Sequence, residues 1–143
     1  GGAAGTGGGA QTAANPLGWT IPTAATTGGA TPYHLSGGTT ATTNATSIKA
    51  SAGTLYRITA INTTGTIAYL KLYNLATAPT CSSATGIVHV YPIPANTSGA
   101  GITIGNTVGE AYGTGIAFCV TGGGSDTNNT NAPAGVYIEG SYK

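Results

Sequence analysis

Between Leu55 and Asn74 the chain reads LYRITAINTTGTIAYLKLYN, two runs of alternating residues joined by a short polar link. On the second run Ala68, Leu70 and Leu72 alternate with Tyr69, Lys71 and Tyr73. Successive side chains of a strand point to opposite faces. The spacing therefore puts the aliphatic set on one face and the tyrosine and lysine set on the other, the pattern of a half-buried strand. On the first run Tyr56, Ile58 and Ala60 alternate with Leu55, Arg57, Thr59 and Ile61. The link Thr63-Thr64-Gly65-Thr66 has one glycine, which can take the positive φ of a hairpin turn. A β-hairpin is expected here, with the rest of the chain adding strands to it.

Those further strands are short. Ile48–Ala50 precedes the hairpin. Ile87–Tyr91 follows a loop over Leu75–Ser83, and Pro92 and Pro94 mark its end or a sheet edge, since proline cannot donate to a ladder. Gly101–Ile104, Gly115–Val120 and Val136–Glu139 complete the set, the last after a polar loop from Gly122 to Pro133. No stretch carries a helical period. About seven short strands with turn signals between them predict an all-β fold, a single antiparallel β-sandwich of the jelly-roll kind over residues 44–143.

The first 43 residues have a different composition, dominated by glycine, alanine and threonine without hydrophobic periodicity. Such sequence loses much entropy on ordering and does not build a core. It does carry spaced apolar anchors, with Leu17, Trp19 and Ile21 between Pro16 and Pro22, and Tyr33 and Leu35 after Pro32. The prolines hold the chain extended and lower the entropy lost on docking. We expect an extended arm whose anchors dock on a neighbouring subunit; its own domain and a solvent tail are the other readings.

Charge narrows the function classes. Charged residues make up 5% of the chain and the formal net charge is +1, against roughly 25% charged in an ordinary globular protein. Nucleic-acid binding needs a Lys/Arg cluster on several phosphates, and none exists. No apolar run approaches the roughly 20 residues that span a bilayer. Threonine, serine, asparagine and glycine take the place of charges. Such groups cost less to desolvate than ions when another surface covers them, which suits a protein packed in an assembly or one working outside cells.

Catalytic and metal-binding chemistry is sparse. His34 and His89 are the only histidines, and Glu110, Asp126 and Glu139 the only carboxylates. His89 lies mid-strand between valines, where a structural histidine is the simpler reading. Neither a Gly-x-Ser-x-Gly elbow nor an EF-hand spacing occurs, and two distant histidines make a poor metal site. We expect no enzyme, no cofactor and no metal. Cys81 and Cys119 permit one disulfide, or stand as two small apolar side chains.

The runs NATSIKASAGTLYRITAINTTGTIAYLKLYNLATAPT (Asn44–Thr80), VYPIPANTSGAG (Val90–Gly101) and GTGIAFCVTGGGSDTNNT (Gly113–Thr130) resemble a small β-domain recurrent in virion proteins of tailed bacteriophages. The likeness covers about residues 44–142. Cys81 and Cys119 depart from it, standing where small non-thiol residues are expected, and the N-terminal arm has no counterpart. The resemblance implies a capsid decoration (cement) protein on the particle exterior. Its partners would be the major capsid protein and further copies of itself, as a homo-oligomer for which a trimer is one arrangement. The alternative is a tail or fibre module that binds host-surface glycan.

Overall fold

The structure, a computed structural model, describes residues 28–143. Leu17, Trp19 and Ile21 lie outside them. Eight strands form: β1 (Thr31–His34), β2 (Thr46–Lys49), β3 (Gly53–Asn62), β4 (Ala68–Asn74), β5 (Ile87–Ile93), β6 (Ala100–Tyr112), β7 (Ile116–Thr121) and β8 (Val136–Tyr142). Among the described residues there is no helix. The strands make two four-stranded antiparallel sheets, ordered β1-β8-β3-β6 and β2-β7-β4-β5. Within them β1 pairs with β8, β2 with β7, β3 with β6 and β4 with β5. The first half of the chain thus pairs with the second in reverse order. An antiparallel strip of this kind, rolled up on itself, is a jelly roll. The expected antiparallel β-sandwich is the fold.

The aliphatic positions of the two sheets meet between them. Leu55, Ile58, Ala60, Val136 and Ile138 come from one sheet, and Leu70, Leu72, Ile93, Ile116, Phe118 and Val120 from the other, all buried. Each such large side chain contributes about 1.5–3 kcal/mol relative to exposure.

The pairing within Leu55–Asn74 is not the expected hairpin. β3 and β4 lie in different sheets, and the link 63–67 carries the chain across the sandwich. Both runs bury their aliphatic faces, and two such faces are satisfied best by packing against each other. Asn62 fixes the corner. Its Nδ2 donates to the Thr66 and Ile93 carbonyls, and its Oδ1 accepts from the Thr64 amide and hydroxyl. A fully buried amide with all of these partners specifies a corner where a glycine turn would have specified a hairpin.

Nor is β4 half-buried. Lys71 and Tyr73, expected on an open face, are both inaccessible to solvent. Two connections cover that face. The 75–86 loop packs Leu75 and Cys81 over Tyr73, Ala117 and Cys119. The glycine-rich loop after β7 closes over Lys71, whose ammonium donates to the carbonyls of Asn128 at 2.7 Å and Asp126 at 3.3 Å. Burial lowers the Lys71 pKa, and the Asp126 charge acts in the opposite sense.

The alternation of β3 changes parity once. Both neighbouring strands shift register between Leu55 and Arg57, so Tyr56 is an inserted residue and Leu55 and Ile58 share the core face. β1 extends the sandwich into what composition marked as arm. Its residues Thr31–His34 pair with Tyr142–Glu139, and Thr39, Thr42 and Thr43 bond to Val136, Ala132 and Val120. The sandwich therefore begins near residue 31 instead of 44.

Candidate functional site

The residues expected to make contacts fall into three places. Tyr33 and Leu35, partly buried, pack against this chain's own core. The Tyr33 ring meets Phe118 edge-on, with centroids 5.8 Å apart at 76°, which ties the edge strand β1 to the opposite sheet. Leu17, Trp19 and Ile21 lie outside the described residues. Cys81 and Cys119 are joined in a disulfide with Cα atoms 6.0 Å apart, which fastens the 75–86 loop to β7.

A polar site that the residues alone did not reveal lies at the other side of the sandwich. β5 and β6 are the edge strands of their respective sheets and end up side by side there. His89 and Tyr91, two residues apart on β5, point the same way, and their rings stack at 5.2 Å with 29° between planes. Glu110 and Tyr112 have the same spacing on β6. The His89 Nε2 lies 2.7 Å from one Glu110 oxygen, and the Tyr112 hydroxyl donates to the other at 2.7 Å. Burial alone would raise the Glu110 pKa. The bonds from Tyr112 and His89, with the histidine charge, outweigh it and hold the carboxyl below its usual value. Burial, then the Glu110 bond and charge, push the Tyr112 phenol well above its ordinary range.

An excursion in β6 opens a cleft beside this chain of bonds. Gly105 pairs with Arg57 and Glu110 with Leu55, so residues 106–109 of β6 stand opposite the single Tyr56. Asn106 Oδ1 accepts from the Val108 amide and shapes the bend. Gly109 closes it with φ +77°. There a Cβ would collide with the Thr54 methyl, so both conformation and space call for glycine. The cleft measures about 120 Å³. Leu55, Leu72 and Ile104 line its floor, and Tyr56, Tyr91, Arg57, Asn106 and Glu110 its walls.

Chemically the cleft offers donors. Both Glu110 oxygens are engaged, while Arg57 takes part in neither ion pair formed among the described residues. A second hollow, about 380 Å³, lies against the 75–86 loop and is lined by Leu75, Ala78 and hydroxyl side chains without an ionisable group. Among the described residues no three of His, Cys, Asp and Glu converge as a metal-binding set. His34 makes its own pair with Glu139 on the outer face of β1 and β8.

No protein-family model matches this chain, and no curated protein or solved structure matches it.

Sequence reasoning singled out His89 but not its partners. The one local signal was the repeated spacing, His89 with Tyr91 and Glu110 with Tyr112. Nothing local says that the two pairs face each other.

Proposed function

We propose that this protein is a structural subunit of a tailed-phage particle, a decoration protein bound to the outer surface of the capsid. The observation that carries the reading is a surface poor in charge, with 5% charged residues in the chain. Of the four basic and three acidic residues, Lys71 is sealed under a loop and Glu110 and Glu139 each pair with a histidine, which leaves Lys49, Arg57, Asp126 and Lys143. What remains outside is mainly hydroxyl, amide and glycine, which a neighbouring subunit covers at low desolvation cost. The resemblance of residues 44–142 to virion β-domains supports the same reading. So does the architecture, a jelly roll with four edge strands that lack a second strand neighbour among the described residues, the kind of edge at which strand addition occurs.

In this proposal the partners are the major capsid protein and further copies of the chain, with a trimer as one arrangement and the particle exterior as the location. The second reading, a tail or fibre module that grips host glycan, draws on the aromatic cleft between β5 and β6. Copy number on purified particles separates the two. Hundreds of copies per particle are expected for decoration; a few dozen, or none, would overturn it.

A further inference from the structure

We propose that the cleft between β5 and β6 is a binding subsite for a pyranose ring bearing a carboxylate, the chemistry of a uronic or sialic acid residue in a surface glycan. The inference rests on the cleft alone and holds or fails independently of the assembly proposed above.

Size comes first. A volume of about 120 Å³ is well below the range of pockets for drug-sized ligands. It admits one ring or part of one, with the remainder of the ligand outside. The cleft opens at the edge of the sandwich, where a chain terminus or a branch can enter.

The walls then select the ring. Tyr56 and Tyr91 flank an aliphatic floor of Leu55, Leu72 and Ile104. A tyrosine combines an apolar ring with a polar hydroxyl, which matches a sugar with a C–H face and a hydroxyl edge. Tyr91 is held in place from behind by the stacked His89 ring, which the Glu110 bond fixes in turn. The wall is therefore set before a ligand arrives, and less ordering has to be offset on binding.

Charge selects the substituent. The one acid in the lining, Glu110, has both oxygens satisfied by His89 and Tyr112. Arg57 is exposed at the mouth and outside both ion pairs. Its planar fork of donors matches a carboxylate in two parallel bonds. Asn106 on the excursion adds a carboxamide whose oxygen is held by Val108, leaving its NH₂ group as a further donor. A bare carboxylate would use Arg57 but neither ring, and a neutral sugar would use the rings but not the guanidinium.

The test is a titration of the 143-residue chain followed by amide NMR, with glucuronate and N-acetylneuraminate as probes and glucose and acetate as controls. Millimolar binding of either acidic sugar is expected, with shifts centred on Arg57, Tyr91, Gly105 and Asn106. Glucose and acetate should each bind about tenfold more weakly or worse, as should the acidic sugar to Arg57→Gln. Arg57 is exposed, so the variant should keep the wild-type spectrum elsewhere. If it does not fold, the salt dependence of binding to the unaltered protein replaces it, and affinity should fall as ionic strength rises. Absence of shifts at the cleft with both acidic sugars, equal binding of glucose or acetate, or affinity indifferent to both Arg57→Gln and salt would each overturn the proposal.

Discussion

His89 and Glu110 stand on edge strands of different sheets, and the 2.7 Å contact between them ties the two sheets together where neither strand has a further neighbour. At the opposite side of the sandwich Tyr33 and Phe118 make the corresponding inter-sheet contact with two rings. One side is thus closed by a polar latch and the other by an apolar one.

Glu110 sets the acid side of the pH dependence of stability. Its folded pKa lies below the ordinary 4.5, so its contribution is complete above that value and is lost as pH falls through the folded value. Glu110→Gln should destabilise by about 1 kcal/mol, a small figure because the side chain is 42% exposed and solvent screens it. It should also flatten the loss of stability on acidification. Denaturant melts from neutral pH down to below pH 4 would check both; an unchanged acid slope would remove Glu110 from the latch.

At alkaline pH the tyrosines dominate. Burial raises the phenols of Tyr33, Tyr73, Tyr91 and Tyr112 in the folded chain above the ordinary 10.0. Their contribution is complete below that value and lost as pH rises past it, because unfolding then releases protons. Lys71, lowered by burial, works in the opposite sense but is a single group. Stability should fall steeply above pH 10, and Tyr112→Phe should make the fall shallower. It should also cost about 1–2 kcal/mol at neutral pH through the lost bond to Glu110.

Tyr73 offers a gain in stability. Its hydroxyl is buried with no hydrogen-bond partner among the described residues, a situation that costs about 1–3 kcal/mol of desolvation. Tyr73→Phe keeps the ring that packs beneath the 75–86 loop and removes the unpartnered oxygen. The variant should be more stable than the parent by about 1 kcal/mol, read as a higher denaturant midpoint at unchanged m-value.

The disulfide acts mainly on the unfolded chain. Cys81 and Cys119 are 38 residues apart, and a closed loop of that length stabilises by about 4 kcal/mol on the chain-entropy account. Replacing both with alanine, or reducing the bond, should lower Tm by roughly 15 °C. Tyr73, Ala117 and the 75–86 loop should lose hydrogen-exchange protection first, since they share its cluster. An unchanged Tm would show that the loop is held by packing alone.

Two truncations separate arm from sandwich. Removing residues 1–27 leaves all eight strands, and the domain should melt as the full chain does. Removing residues 1–43 also takes β1, the Tyr33–Phe118 contact and the Thr39 hydroxyl that accepts from the Val136 amide. That variant should be destabilised by several kcal/mol or fail to fold. Equal melts for both truncations would return β1 to the arm.

The sequence by itself determined that residues 44–143 form an all-β domain, where most strands run, and that the chain carries little charge. Alternation of period two is written residue by residue, and charge is a matter of composition. What it did not determine was which strand meets which. The link between Asn62 and Ala68 is compatible with a hairpin or a crossing, and the choice rests on a buried amide whose partners include the distant Ile93 carbonyl. β1 is four residues long and contains Pro32, so its place in a sheet comes from β8 and not from its own pattern. Lys71 and Tyr73 look like an exposed face until two loops fold over them. The cleft is the extreme case. Tyr91 and Glu110 are ordinary strand residues until the rolled strip brings the outermost strands of two different sheets to the same edge, a contact that only the closed tertiary structure can make.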